Sequence, residues 1–271
     1  MTTTVPAPLA GKIAIVTGGS KGIGAGIAIT FAKQGCTHIA ITYKSDPAGA
    51  EETCKAMTAV SPSIKTFSVA ASVEDTEFGT KVVQGALEGL GVDHIDIAVS
   101  SAAIVNVESF PSVADMTFES WNKVITGEAW APFTLARAAV EIGKMPHGGR
   151  IIMLSSASSK IANGDPLTSY SVGKAAMEAV VRNMSAVYGI QKGITVNSIS
   201  VGATLTATMQ SFVDKSGPEF EAYVKGFSVL KRLGEVQEVA DIVAFVASPQ
   251  ASWIVGNSVP ANGGSLLAVQ G

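Results

Sequence analysis

The sequence is 271 residues long, with 28 glycines, 47% hydrophobic residues, only 15% charged residues and a formal charge of −3. So low a charged fraction, with a mean hydropathy of +0.35, rules out a disordered chain, and the length suffices to bury a large core without staples. No basic run exceeds Lys231-Arg232, no apolar run is long enough to span a membrane, and Cys36 and Cys54 form no disulfide framework or zinc spacing, so nucleic acid, membrane and metal are not expected partners.

In chain order, Met1–Ala10 carries neither a basic leader nor a long apolar stretch, from which a cytoplasmic location is expected. A first β-branched apolar run, Lys12–Thr17, leads into a helical pattern over Ile23–Gln34. His38–Tyr43 leads to Pro47–Val60, Ile64–Ala70 to Asp75–Gly89, and Ile95–Ser100 to Phe118–Ile142. Arg150–Ser155 leads to Ser169–Gly189, Ile194–Ser200 is followed later by Val236–Ala247, and Trp253–Pro260 closes the series. Runs that do not alternate in polarity read as parallel strands buried on both faces. Strand and helix in regular turn predict an α/β fold: one Rossmann-like domain over residues 1–271, a doubly wound parallel sheet of about seven strands with helices on both faces.

Gly35, Ser61-Pro62 and Gly189 are the expected helix stops, and Pro132 is expected to start or bend the helix that contains it. The segment 203–232 differs in kind. It gathers Met209, Phe212, Phe220, Tyr223 and Phe227 around Ser216-Gly217-Pro218, and reads as a surface helical hairpin or as a lid over an apolar substrate, with Met209 and Phe212 as candidate contacts.

Directly after the first strand stands Gly18-Gly19-Ser20-Lys21-Gly22-Ile23-Gly24, and then a helix. Glycines there let the backbone turn tightly and approach a pyrophosphate that rests on the free N–H groups of the helix. The spacing is Gly-x-x-x-Gly-x-Gly. An NAD-specific fold places an acid at the end of the second strand, against the ribose 2′-hydroxyl. Here the strand ends Thr42-Tyr43-Lys44-Ser45, with no carboxylate before Asp46. Lys21, Lys44 and Ser45 offer cations and a hydroxyl to a 2′-phosphate instead, so NADP(H) is the expected cofactor.

Tyr170-Ser-Val-Gly-Lys174 puts a phenol and an ammonium on one helix face. Tyrosine titrates near 10 in water; a lysine a few ångströms away favours the phenolate and brings the phenol closer to useful acid–base chemistry. Ser155-Ser156 ends the preceding strand, at the carboxyl edge where open α/β sheets bind ligands, and a serine there can hold a carbonyl oxygen.

These residues carry a resemblance to the short-chain dehydrogenase/reductase family over essentially the whole length. Thr17-Gly18, Gly22-Ile23-Gly24, Ser156, Tyr170 and Lys174 stand in the family's order, and Trp253-Ile-Val-Gly256 with Asn262-Gly263-Gly264 looks like its closing strand and glycine pair. The resemblance implies that Ser156 positions the carbonyl, Tyr170 is the acid/base, and Lys174 tunes Tyr170 and holds the nicotinamide ribose. It further implies cofactor contacts from Gly18, Ser20, Lys21, Gly22, Ile23, Gly24, Ser45, Thr204 and Thr206, and a homodimer or homotetramer. The gap from Ser156 to Tyr170 is similar to that of fungal polyhydroxynaphthalene reductases, whose substrates are flat polyketide ketones.

Several family positions differ. The usual Asn-Asn-Ala-Gly reads Ser100-Ser101-Ala102-Ala103, the acid at the adenine edge is Ser72 followed by Val73, and the usual Pro-Gly is Val201-Gly202. The family's catalytic asparagine aligns with Glu128. At about 7 Å and an effective dielectric near 20, an ionised Glu128 would act on Tyr170 by roughly 2 kcal/mol, opposing Lys174. Three outcomes are open: Glu128 pairs with Lys174, stays protonated, or turns to the substrate as a second acid. Asp165, in Asn163-Gly-Asp-Pro166, is either the turn that leads into the helix or a second carboxylate at the pocket mouth. The expected function is therefore an NADPH-dependent reductase acting on a ketone or imine of a hydrophobic, polycyclic substrate. The alternatives are a repurposed member using Glu128 or Asp165 for cyclisation or isomerisation, and a non-catalytic NADP(H) sensor.

Overall fold

The computed structural model describes residues 7–104 and 110–265; the Met1–Pro6 part of the leader reading lies outside them. β1 (Ile13–Val16), α1 (Gly22–Lys33), β2 (His38–Tyr43), α2 (Pro47–Val60), β3 (Lys65–Ala70), α3 (Phe78–Leu90) and β4 (Ile97–Ser100) build the first half. The second half runs α4 (Phe118–Ile125), α5 (Ala131–Glu141), β5 (Arg150–Ser156), α6 (Thr168–Lys192), β6 (Thr195–Val201), β7 (Thr204–Leu205), α7 (Ala207–Ser216), α8 (Pro218–Gly226), β8 (Gly234–Glu235), α9 (Val236–Ala247) and β9 (Ser258–Ala261). Seven strands form one sheet in the order β3-β2-β1-β4-β5-β6-β9, and every pairing is parallel. Strand order reverses between β1 and β4, which opens a crevice at their carboxyl ends.

The unalternating runs are explained by two cores. Ile13 and Ile15 of β1 point toward Phe78 and Val82 of α3, Leu135 of α5 and Val181 of α6. Ala14 and Val16 point the other way, toward Ile27 and Phe31 of α1 and Val239 and Val243 of α9. A strand apolar at every position is what a sheet covered on both faces requires. At the edge, β3 keeps three exposed positions, Lys65, Phe67 and Ala70, so its buried pattern is weaker.

Three expectations need correction. Gly189 does not end α6; the helix runs through it to Lys192 and stops at Gly193, whose φ of 64° is the left-handed cap. One glycine inside a long packed helix costs only about 1 kcal/mol, too little to stop it. The run from Trp253 is not strand until Ser258: Gly256 takes φ 70° and Trp253 is 96% exposed, so the chain turns before it joins β6. Within 118–142, the interruption comes earlier than Pro132 itself. Thr126–Trp130 forms a π-helical turn between α4 and α5, where Pro132 has no N–H to give the Glu128 carbonyl four residues back.

The segment 203–232 folds as a helical hairpin, α7 and α8 joined at Gly217 (φ 83°). It buries only Val213 fully from α7 and nothing from α8, while Tyr223 and Phe227 stack edge to face at 4.9 Å. Its clasp, the parallel pairing of β7 with β8 that closes the hairpin's two ends on each other, has no signal in the local pattern.

Candidate active site

The glycine turn lies at the carboxyl end of β1. Gly18 takes φ 67° and gives its N–H to Thr42 Oγ1 at 3.0 Å; a Cβ on it would stand 2.9 Å from the Ala102 Cα. A Cβ on Gly24 would run into the Gly18 carbonyl, so both glycines are needed for the turn to close. Lys21 precedes α1 in extended backbone and makes no side-chain cap, which leaves the first N–H groups of α1 without a side-chain acceptor. A cradle of this shape fits a pyrophosphate. Thr206 stands beside it, its methyl 3.5 Å from where a Gly22 Cβ would be, while its hydroxyl accepts the Met209 N–H and caps α7. Thr204 is buried and donates to the Gly202 carbonyl at 3.0 Å. Ile23 packs against the core on the α9 side, and Ser20 is half-buried in the turn.

At the end of β2, Lys44 and Ser45 are exposed. Lys44 is not free: its Nζ lies 2.5 Å from Glu74 Oε1, and Lys123 approaches Glu74 Oε2 at 3.9 Å. The hydrogen bond from Lys44 holds the Glu74 carboxyl below the usual range. Ser72 is half-buried and accepts the Glu74 N–H, Val73 is buried, and Asp46 is spent capping α2 through the Gly49 N–H at 3.0 Å. The Lys44–Glu74 pair was missed because its partners come from different strand ends.

Ser156 ends β5, Tyr170 lies in the first turn of α6, and Lys174 follows one turn later. The Ser156 hydroxyl accepts the Ser158 N–H at 3.1 Å. Phe110 meets the Tyr170 ring edge-on at 5.6 Å, and Lys174 Nζ lies 5.6 Å from the centre of that ring. Lys174 is only 3% exposed; its Nζ donates to the Leu154 carbonyl at 2.6 Å and sits 2.8 Å from Glu128 Oε2. Glu128 is fully buried in the π turn, and its other oxygen accepts the Ile104 N–H at 2.7 Å. Of the three outcomes open for Glu128, the structure shows the pairing with Lys174.

The pairing depends on a residue that sequence reasoning passed over. A Cβ on Gly173 would come within 2.7 Å of the Glu128 Cβ, so glycine is what lets α6 lie against the π turn. Electrostatics follow from this packing. Burial pushes the Tyr170 phenol up, Lys174 and the Ser156 hydroxyl pull it down, Glu128 pushes it up again, and the result is above the ordinary value. For Lys174, burial favours the neutral amine, but Glu128 and Tyr170 outweigh it and hold the ammonium above its ordinary value.

Further residues surround the site. Glu178, one turn past Lys174 on the same face, is buried and takes three serine hydroxyls, Ser155, Ser159 and Ser258, each at 2.9 Å on Oε1. The i, i+4, i+8 spacing of Tyr170, Lys174 and Glu178 was the signal for it. Asp165 is exposed, and its Oδ1 accepts the Val113 N–H at 2.9 Å, tying two loops together. Met209 and Phe212 are half-buried on α7.

A family model described as "Enoyl-(Acyl carrier protein) reductase" matches residues 18–265, from the glycine turn through the end of the described chain. The chain belongs to the short-chain dehydrogenase/reductase family. Among the family's members it is 38% identical to a short chain dehydrogenase, asqE, of Emericella nidulans, over 97% of this chain and 96% of the relative. It is 31% identical to the hydroxynaphthalene reductase-like protein Arp2 of Metarhizium acridum, over 98% of both. The angucycline C-6 ketoreductase LanV, solved with bound NADP, superposes with a TM-score of 0.86 at 30% identity, covering 96% of this chain and 98% of its own. A short-chain dehydrogenase/reductase is an oxidoreductase of carbonyl and hydroxyl groups, and among the described residues no helix is long and apolar enough to cross a membrane.

Proposed function

We propose that this dehydrogenase/reductase is an NADPH-dependent ketoreductase that reduces a ketone or imine of a hydrophobic, polycyclic secondary metabolite. The observation that carries the reading is the meeting of Ser156, Tyr170 and Lys174 at the end of β5, on the sheet edge that also bears the glycine turn. NADP in the LanV structure and the names of the fungal relatives support the cofactor and the substrate class.

Gly18, Gly22 and Gly24 would receive the pyrophosphate, with Ser20, Ile23, Thr204 and Thr206 around it, and Lys21, Lys44 and Ser45 near the 2′-phosphate. Ser72 and Val73 would flank the adenine, and Lys174 would reach the nicotinamide ribose. NADPH held there would be the source of the hydride for the carbonyl carbon. Ser156 holds the carbonyl oxygen, Tyr170 gives that oxygen a proton, and Lys174 steadies the phenolate left behind. Met209 and Phe212 on the hairpin would cover an apolar substrate.

Glu128 spends its oxygens on Lys174 and Ile104, and Asp165 spends one on Val113. That engagement supports reduction over an acid-driven cyclisation or isomerisation, and a cofactor sensor would have no use for the serine, tyrosine and lysine together. Both cysteines are free thiols, which suits the reducing cytoplasm. The test is direct: with NADPH and a series of flat polycyclic ketones and imines, nicotinamide absorbance should fall one-for-one with alcohol or amine formed. No reduction across the series would reject the reading.

A further inference from the structure

Glu128 is the residue in the site for which the reaction as derived gives no task, and it is the most completely enclosed charge there. Its carboxylate is fully buried, lies 2.8 Å from the Lys174 ammonium, and is fixed from the other side by the Ile104 N–H at 2.7 Å. Two structural features serve that placement: the π turn at Thr126–Trp130 and the absence of a Cβ at Gly173. A buried carboxylate bound to the one cation beside a phenol cancels much of the field that cation would exert on the phenol.

The other charges nearby have partners elsewhere. Lys123 of α4 approaches Glu74 at 3.9 Å, Arg137 of α5 lies over the Phe133 ring at 5.6 Å, and Asp165 takes the Val113 N–H. On α6 itself Glu178 is wrapped by Ser155, Ser159 and Ser258, with Lys160 at 3.8 Å. Ser156 and Phe110, which also flank Tyr170, carry no charge. Among the described residues, Lys174 and Glu128 are the charges that act most directly on the phenol.

We propose that Glu128 is a positioning residue acting through Lys174: by neutralising the ammonium it holds Tyr170 in its proton-donating phenol form. The proposal deepens the reading of Tyr170 as proton donor and rests on it. For reduction, the donor form persists to high pH. For the reverse oxidation, the phenolate base appears only at high pH. Both limbs move together, because forward and reverse reactions share one transition state and the overall equilibrium at a given pH is untouched.

The experiment reads the Tyr170 proton itself. Tyrosinate absorbance is titrated in the full chain and in Tyr170→Phe, and the difference isolates Tyr170 from Tyr43, Tyr188 and Tyr223. In a Glu128→Gln background, which keeps the volume and an acceptor for Ile104, the midpoint should fall by about one pH unit or more. Glu128→Asp, which keeps the charge, should hold it near the original position. Should the glutamine chain fail to fold, Glu128→Asn gives the same comparison. A midpoint that stays put or rises on loss of the charge, or one that aspartate lowers as far as glutamine does, overturns the proposal. Neither substrate nor NADPH enters the titration, so an inactive chain would reject the ketoreductase reading while leaving this result legible, and the converse holds.

Discussion

At the scale of single residues, Ser156, Tyr170 and Lys174 were readable because their chemistry and their spacing coincide on one strand end and one helix face. Lys44 was readable only in part. Its position at the end of β2 marks it for a 2′-phosphate, but its pairing with Glu74 is a contact between β2 and the loop after β3 that no local pattern announces. A 2′-phosphate held by Lys44 would compete with Glu74 for that ammonium. The pair is largely exposed, so the competition is worth no more than about 1 kcal/mol. Glu74→Gln should accordingly tighten NADPH binding by a few-fold at low salt, leave NADH binding unchanged, and lose its effect as ionic strength rises. A fluorescence titration of each nucleotide checks this; NADH tightening equally would remove Lys44 from the 2′-phosphate site.

Elements were legible where their core-facing pattern is strong. His38–Tyr43, Pro47–Val60 and Val236–Ala247 begin and end where periodicity and caps place them. What escaped were features decided by tertiary packing: the π turn, the β7–β8 clasp, and the true end of α6. The same α6 that presents Tyr170, Lys174 and Glu178 inward leaves Val172, Val187 and Ile190 outward, the last 87% exposed, with Phe118 of α4 82% exposed nearby in sequence order to the π turn. So much exposed apolar surface on helices supports the homodimer or homotetramer that the family resemblance implies. Ile190→Asp should shift the assembly toward a smaller species by light scattering without loss of helical signal. An unchanged mass, or a wild-type chain that is already monomeric, would contradict that assembly.

For the whole molecule, the fold was visible in advance because the unalternating inner strands require cover on both faces, which the alternating helices of a doubly wound sheet supply. The site follows from the same topology: parallel strands bring the end of β1, with its glycine turn, and the end of β5, with Ser156, to one edge, and α6 starts there. How the charges settle inside that edge was not visible, since a sequence cannot say whether Glu128 faces Lys174 or a substrate. If Tyr170 delivers the proton while the rest of the edge holds the reactants, Tyr170→Phe will expose it. Removing the hydroxyl should lower NADPH-driven ketone reduction by about 10²–10⁴-fold, with NADPH affinity unchanged by fluorescence titration. Reduction at the wild-type rate in the phenylalanine chain would contradict it.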